Sequence, residues 1–240
     1  SGIGRKLATT LAQEGYRLVI NDYHADRVDA TAYEIAAMGQ KAIPLPGDAG
    51  SVAHIQELVD AALEHFGRLD IVIANAGLTN FGSFLEYEES RLNQMLQLNL
   101  KGSFFLAQRA AQTFVKQGEG GCILLMSSNV ANLAYPSLTA YSMTKAGLQM
   151  LAKSLALELA PHRIRVNSVA PGATVTPRTL RDDPNYVENW SPLVPTGEVT
   201  QQEDIVAAVQ FLISDVAKQI NGQTLTVDGG WSVQGQYPTV

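Results

Sequence analysis

The chain has 240 residues, of which 46% are hydrophobic and 17% charged, with a formal net charge of −6. That much apolar material excludes a disordered chain and can fill one large core. Lys and Arg are scattered without a basic stripe, which argues against nucleic acid as a partner, and the single cysteine, Cys122, excludes an internal disulfide framework.

The chain opens with "SGIGRKLATTLAQEGYRLVIND", in which Gly2, Ile3 and Gly4 start an amphipathic stretch over 3–14 and an apolar run over 17–21 leads into Asp22. Further apolar runs follow at 41–45, 70–74, 122–127, 165–170 and 224–227, and helical patterns lie between them at 26–38, 51–66, 89–117, 139–160 and 203–213. Ser51 is placed to cap the third helix and Gly67 to end it. Continuous apolar strands predict burial on both faces, as in a parallel sheet. Their alternation with helices predicts right-handed βαβ units, hence an α/β Rossmann-type doubly wound sheet flanked by helices, in one domain over 1–240. The polar region 176–202 is expected to be an irregular substrate loop or lid. Cys122, inside "CILLM", reads as a small buried hydrophobe. His24, His54, His65 and His162 do not fall at metal-ligand spacing, so no metal is expected. No apolar stretch has membrane-spanning length and no signal peptide is visible, so a soluble cytoplasmic protein is expected, without a membrane partner.

Ligands of such sheets bind at the carboxyl ends of the strands. There this sequence places Asp22, Asp48, "NAG" (75–77), Ser127 with Ser128, and Pro171 with Gly172. Glycines at 2 and 4 let a backbone approach a pyrophosphate while the helix N-terminus faces the anion. Asp22, 18 residues after Gly4, suits a hydrogen bond to an adenine-ribose 2′-hydroxyl and repels a 2′-phosphate. NAD(H) is therefore the expected cofactor, ahead of NADP(H). In "AYSMTKAGL", Tyr141 and Lys145 stand four apart on one helical face, with Ser128 thirteen residues before Tyr141. A free phenol is a poor base at neutral pH. An ammonium beside it favours the phenolate and fits it to exchange a proton with an alcohol or carbonyl. A neighbouring serine can hold the substrate oxygen.

Taken in order, these motifs resemble the short-chain dehydrogenase/reductase family, in its single-domain branch. "GIG" (2–4) corresponds to the end of the family's TGxxxGxG loop, "NAG" (75–77) to its NNAG signature with Ala74 for the first Asn, and "NLKG" (99–102) to its asparagine motif. "SSN" (127–129) carries the serine, "YSMTK" (141–145) is YxxxK, and "PGATVT" (171–176) is the motif beside the nicotinamide. The resemblance implies that Tyr141 is the general acid/base, that Lys145 holds the nicotinamide ribose and favours the phenolate, and that Ser128 orients the substrate oxygen. Asn99 would bind, through its main chain, a water that extends the proton relay. Asp48 would contact the adenine, and Asn75, Ala76 and Gly77 would run along the adenosine side. Pro171, Gly172, Thr174 and Thr176 would hold the nicotinamide end, Thr174 through its backbone where the family usually has Ile or Val. The family's glycine loop follows a central strand, so a strand and the loop's start, roughly a dozen or more residues, are expected upstream of Ser1.

The expected activity is interconversion of a secondary alcohol and a ketone, with a sugar, polyol or other small polar alcohol favoured and a 3-oxoacyl thioester as the alternative. A dinucleotide-binding sensor without catalysis is the competing class, and the intact Ser128, Tyr141, Lys145 and Asn99 argue against it. A larger-branch epimerase or dehydratase would need a substrate domain, and few residues follow Val227. Tyr186 and Trp190 are expected to line the pocket or pack the lid, and Arg178 and Arg181 to meet an acidic substrate or face solvent. "VDGGW" (227–231) is expected to be structural, with Trp231 packing between subunits. The resemblance also implies a homotetramer built on the helices 89–117 and 139–160.

Overall fold

The computed structural model describes residues 1–235. Six parallel strands carry the fold: β1 (Leu18–Ile20), β2 (Ala42–Pro44), β3 (Ile71–Ala74), β4 (Gly121–Met126), β5 (Ile164–Pro171) and β6 (Thr224–Val227). Nine α-helices occur among the described residues: α1 (Gly2–Gln13), α2 (Ala25–Ala37), α3 (Val52–Phe66), α4 (Glu89–Met95), α5 (Ser103–Gln117), α6 (Thr139–Leu159), α7 (Pro177–Asp182), α8 (Tyr186–Trp190) and α9 (Gln202–Ile213). This is the Rossmann-type α/β fold expected from the alternation of apolar runs and helical patterns.

Strand chemistry sorts the layers. Successive side chains of a strand face opposite sides. On β4, Ile123 and Leu125 join Phe114 of α5 and Leu148 of α6 in one core, while Cys122, Leu124 and Met126 face Leu7 and Leu11 of α1 and Ile205 and Val209 of α9 in the other. β4 is apolar and almost fully buried, as a parallel strand under two helical layers is, and β5 is buried almost throughout although it carries Asn167 and Ser168. Helix α3 begins and ends as the sequence suggests: the Ser51 hydroxyl accepts the His54 amide, and Gly67 takes a left-handed conformation with φ of 77°.

The strands form two sheets, β1–β2 and β3–β4–β5–β6. Helix α1 bridges them, since Leu7 and Leu11 pack with Leu18 beside β4 and α9 while Ala8 and Ala12 pack with Ile35 of α2 over β1–β2. Between the sheets runs a cavity of about 1490 Å³, walled by β1, β3, α1 and the inner face of α3 through Ile55 and Val59. The cavity explains why β1, whose Leu18, Val19 and Ile20 line it, is only half-buried; β2 is half-buried too, where the apolar pattern predicts full burial. This largely apolar slot opens at the carboxyl ends of the strands.

Two further expectations are corrected. The pattern over 89–117 predicts one helix, but the chain widens into a π-helical segment from Leu96 to Gly102 between α4 and α5. The region 176–202 is not irregular: it folds into α7, α8 and a 3₁₀ turn over Ser191–Leu193. Thr176 nucleates α7 through a reciprocal capping box with Thr179, with Pro177 in the first turn.

Candidate active site

The glycines at the start of α1 are held by geometry. Gly2 has φ of +53°, a conformation that side-chain-bearing residues rarely adopt, and a Cβ there would stand 3.8 Å from that of Thr176. A Cβ on Gly4 would meet Asn75 Nδ2 at 2.6 Å, so a side chain there would displace the Asn75 amide from the loop after β3. Ser1 gives no side-chain cap and the first turn holds no acidic residue. The amides that begin α1 therefore border the cavity with the positive end of a helix.

Asp22 follows β1 on the wall of the same cavity. Its Oδ1 accepts the His24 amide at 3.0 Å, and Oδ2 lies 3.7 Å from the Ser1 nitrogen, so the carboxylate sits against the glycine loop. Asp48 follows β2, and its Oδ1 accepts the Gly50 amide at 2.8 Å. Asn75, Ala76 and Gly77 leave β3 into the same space, as do Pro171, Gly172, Thr174 and Thr176 at the end of β5. Gly172 packs directly on Asp228, leaving no room for a side chain. The Thr174 hydroxyl donates to the Gly172 carbonyl at 3.0 Å, and its carbonyl accepts from Thr179 at 3.1 Å.

Tyr141 and Lys145 project from α6 to the cavity. Lys145 is 4% exposed. Its ammonium donates to the Met126 carbonyl at 2.6 Å, 5.5 Å from the centre of the Tyr141 ring. A Cβ on Gly77 would lie 3.4 Å from Nζ, so the loop after β3 closes over the ammonium. The two serines after β4 differ. Ser127 spends its hydroxyl on the Lys145 carbonyl at 2.9 Å. Ser128 holds only long contacts, donating to the Pro171 carbonyl at 3.4 Å and accepting the Val130 amide at 3.5 Å, which a substrate oxygen can replace. Tyr186 borders the cavity too, but burial pushes its phenol up to about 12, so it stays neutral and offers no competing base.

Asn99 alone among the sequence-derived site residues does not border the cavity. It is 0% exposed. Oδ1 accepts the Leu78 amide at 2.8 Å, and Nδ2 donates to the Leu78 carbonyl at 2.9 Å and to Thr144 Oγ1 at 3.1 Å. The side chain is thus a brace between the loop after β3 and α6, leaving any relay role to the main chain. Cys122 is buried and its thiol is pushed up by desolvation, which suits a packing residue. His54 packs as well, between Asn21 Nδ2 and Glu57. Among the described residues no cluster of His, Cys, Asp and Glu could hold a metal.

An uncapped helix N-terminus, a glycine of positive φ at Gly2 with a tightly packed one at Gly4, and a carboxylate at the end of the first strand fit a dinucleotide with a free ribose diol. The family model described as enoyl-(acyl carrier protein) reductase matches residues 1–232. The chain belongs to the short-chain dehydrogenase/reductase family.

The chain is 38% identical over 239 residues to an L-rhamnose 1-dehydrogenase (NAD(P)(+)) of a Sphingomonas species, covering 98% of this chain and 94% of that one. Among solved structures it is similar to a gluconate 5-dehydrogenase from Burkholderia cenocepacia in complex with NADP and tartrate, with a TM-score of 0.90 at 30% identity over 98% of this chain and 92% of that one. It is equally similar to a 3-ketoacyl-(acyl-carrier-protein) reductase from Brucella melitensis complexed with NADH, with a TM-score of 0.90 at 30% identity over 97% and 94% of the two chains. The protein is accordingly an oxidoreductase of CH–OH groups.

Several residues of this short-chain dehydrogenase/reductase that matter to the site escape motif reading. Thr144, buried between Tyr141 and Lys145 on α6, holds Asn99. Asp228 is buried and accepts from Asn129 Nδ2 at 3.3 Å, from the Gly230 amide at 3.1 Å and from the Ser232 amide at 2.9 Å. It ties the segment after β6 to the loop that carries Ser128. Its position in "VDGG" after a strand was a visible signal. Trp231 packs on Trp190 of the same chain.

Proposed function

We propose that the protein is an NAD(H)-dependent oxidoreductase that interconverts a secondary alcohol and a ketone, acting on a sugar, a polyol or another small polar alcohol in the cytoplasm as a homotetramer. The observation that carries this reading is the Lys145 ammonium, fixed by the Met126 carbonyl beside Tyr141 and facing the same cavity as Ser128, Gly2, Gly4 and Asp22. When bound, the nicotinamide supplies the hydride acceptor or donor.

The residues divide the remaining work. Gly2, Ile3, Gly4 and the start of α1 receive the pyrophosphate; Asp22 and Asp48 hold the adenosine end; Asn75 to Gly77 flank it. Lys145 binds the nicotinamide ribose and lends its charge to the phenol, while Thr174 and Thr176 frame the nicotinamide end. Ser128 holds the substrate oxygen by exchanging its long contact to Pro171. Tyr141 takes the hydroxyl proton as the alcohol is oxidised and returns it on reduction. Asn99 fixes the loop over Lys145 and carries the relay water on its main chain.

Asp22 supports NAD over NADP, since a carboxylate next to the glycine loop repels a 2′-phosphate. The rhamnose and gluconate dehydrogenases support a sugar substrate. The likeness to a 3-ketoacyl-carrier reductase supports a second reading, reduction of a 3-oxoacyl thioester. A panel of aldoses, aldonates, small diols and a 3-oxoacyl thioester, each assayed with both cofactors, separates the two. We expect oxidation of a sugar with NAD. Tyr141→Phe should lower kcat by about 10²–10⁴-fold, the usual worth of a general acid/base, while NAD affinity stays near the parent value. Turnover by Tyr141→Phe at the parent rate would remove the acid/base role.

A further inference from the structure

The lid helices α7 and α8 have six and five residues, too short to persist alone. Their exposed side chains include Arg178, Arg181, Glu188 and Asn189, along with the apolar Leu180 and Val187. What holds α8 is a group of aromatic rings. Trp190, at the end of α8, stacks on Tyr186 with ring centres 5.4 Å apart and planes at 29°. It also stacks on Tyr135 at 6.0 Å and 28°, and Trp231 meets it edge-on at 5.4 Å and 81°.

These rings come from three separate segments. Tyr135 lies on the loop between Ser128 and Tyr141. Tyr186 and Trp190 belong to the lid. Trp231 follows Asp228, whose carboxylate is tied to Asn129 next to Ser128. Tyr186 is buried against Ala173 and Val199 and borders the cavity together with Ser128, Tyr141 and Thr174. Offset and edge-on aromatic pairs hold beyond the area they bury, and each has a preferred geometry. The stack therefore joins the lid, the catalytic loop and the C-terminal turn, and its Tyr186 end forms part of the substrate-side wall.

We propose that Trp190 is a positioning residue for substrate: its stack between Tyr135 and Tyr186 latches the lid onto the loop carrying Ser128 and Tyr141, and so sets the Tyr186 wall against which the alcohol is held. The substrate role rests on the alcohol-oxidoreductase reading above; the latch does not. A polyhydroxylated ring suits such a wall, with its C–H face toward an aromatic surface and its hydroxyls toward Ser128 and Tyr141.

Two readouts on the full chain test it. Trypsin cleavage at Arg178 and Arg181 reports the latch without any substrate. Trp190→Ala should speed that cleavage several-fold while the melting temperature stays near that of the parent, and Trp190→Phe, which keeps a ring in the stack, should restore protection. Equal cleavage of parent and Trp190→Ala overturns the latch. With the alcohol that turns over best, Trp190→Ala should raise KM by about tenfold or more with kcat and NAD affinity little changed, and Trp190→Phe should recover most of the loss. Faster cleavage with unchanged KM overturns the positioning role. A parent that oxidises nothing on the panel counts against the oxidoreductase reading, and trypsin then still decides the latch. The chain's only two tryptophans are both in the stack, so Trp231→Phe leaves an emission that reports Trp190 alone. That emission should respond to saturating alcohol in the presence of NAD, and a flat response counts against contact through the stack.

Discussion

At Asp22 one carboxylate oxygen accepts the His24 amide while the other faces the glycine loop at 3.7 Å from Ser1. The first bond fixes the side-chain rotamer, and in the proposed function the second oxygen would accept from a ribose diol. A hydrogen bond to a charged group is worth about 1.5–3 kcal/mol, so Asp22→Ala should weaken NAD about tenfold or more. The same change removes the repulsion of a 2′-phosphate, so NADP should be held as well as before or better. Calorimetric titration of both cofactors against parent and variant reads the ratio directly. An unchanged ratio would mean that Asp22 does not read the ribose. Residue identities at strand ends were legible because their chemistry is local: a carboxylate, a pair of glycines, and a phenol four residues from an amine. The Lys145 bond to Met126 was not, because it depends on which backbone carbonyl the sheet brings under α6.

At the scale of elements, the alternation of apolar runs and helical patterns located every strand to within a residue or two. Two places departed from it, and both concern function. The helical pattern over 89–117 is continuous, yet the backbone widens into a π-helical segment around Asn99. No periodicity announces this, since the cause is tertiary: Asn99 reaches Leu78 and Thr144 on two other segments. Such widened turns recur at functional sites. In 176–202 the apolar residues that hold the lid, Tyr186 and Trp190, are too few to set a period, and their partners Tyr135 and Trp231 lie far off in sequence. The Asn99 brace yields its own expectation. Asn99→Ala strips the Leu78 amide and carbonyl of their side-chain partner, while the Thr144 hydroxyl keeps its bond to the Tyr141 carbonyl. Unmet buried groups cost about 1–3 kcal/mol each, so unfolding in urea should shift to clearly lower denaturant with an unchanged slope. Activity should fall further than stability, because Gly77 and Leu78 cover Lys145. A variant with parental stability and rate would show that the brace is dispensable.

Across the whole molecule, the crevice takes Asp22 and Asp48 from the side of the β1–β2 sheet and Ser128, Tyr141 and Lys145 from the side of the larger sheet, with α1 the packed link between the two sheets. Helix α6 carries Tyr141 and Lys145 inward and a different surface outward. Met143, Met150 and Leu157 recur every seven residues on that outer surface and are exposed, Leu157 at 81%. Phe104 and Val115, eleven residues apart on one face of α5, are exposed beside them. Aligned exposed apolar residues on two helices are what a helical interface between copies leaves on an isolated subunit. The tetramer proposed above would cover this surface and brace the helix that bears the phenol and the amine. The double variant Met150→Glu, Leu157→Glu places charge on the stripe without touching the inward face. Sedimentation velocity should show the parent as a tetramer and the variant as smaller species. The variant should also lose turnover more than it loses NAD affinity, because α6 is then held from one side only. A parent that sediments as a monomer over a wide concentration range would assign this stripe to some other partner.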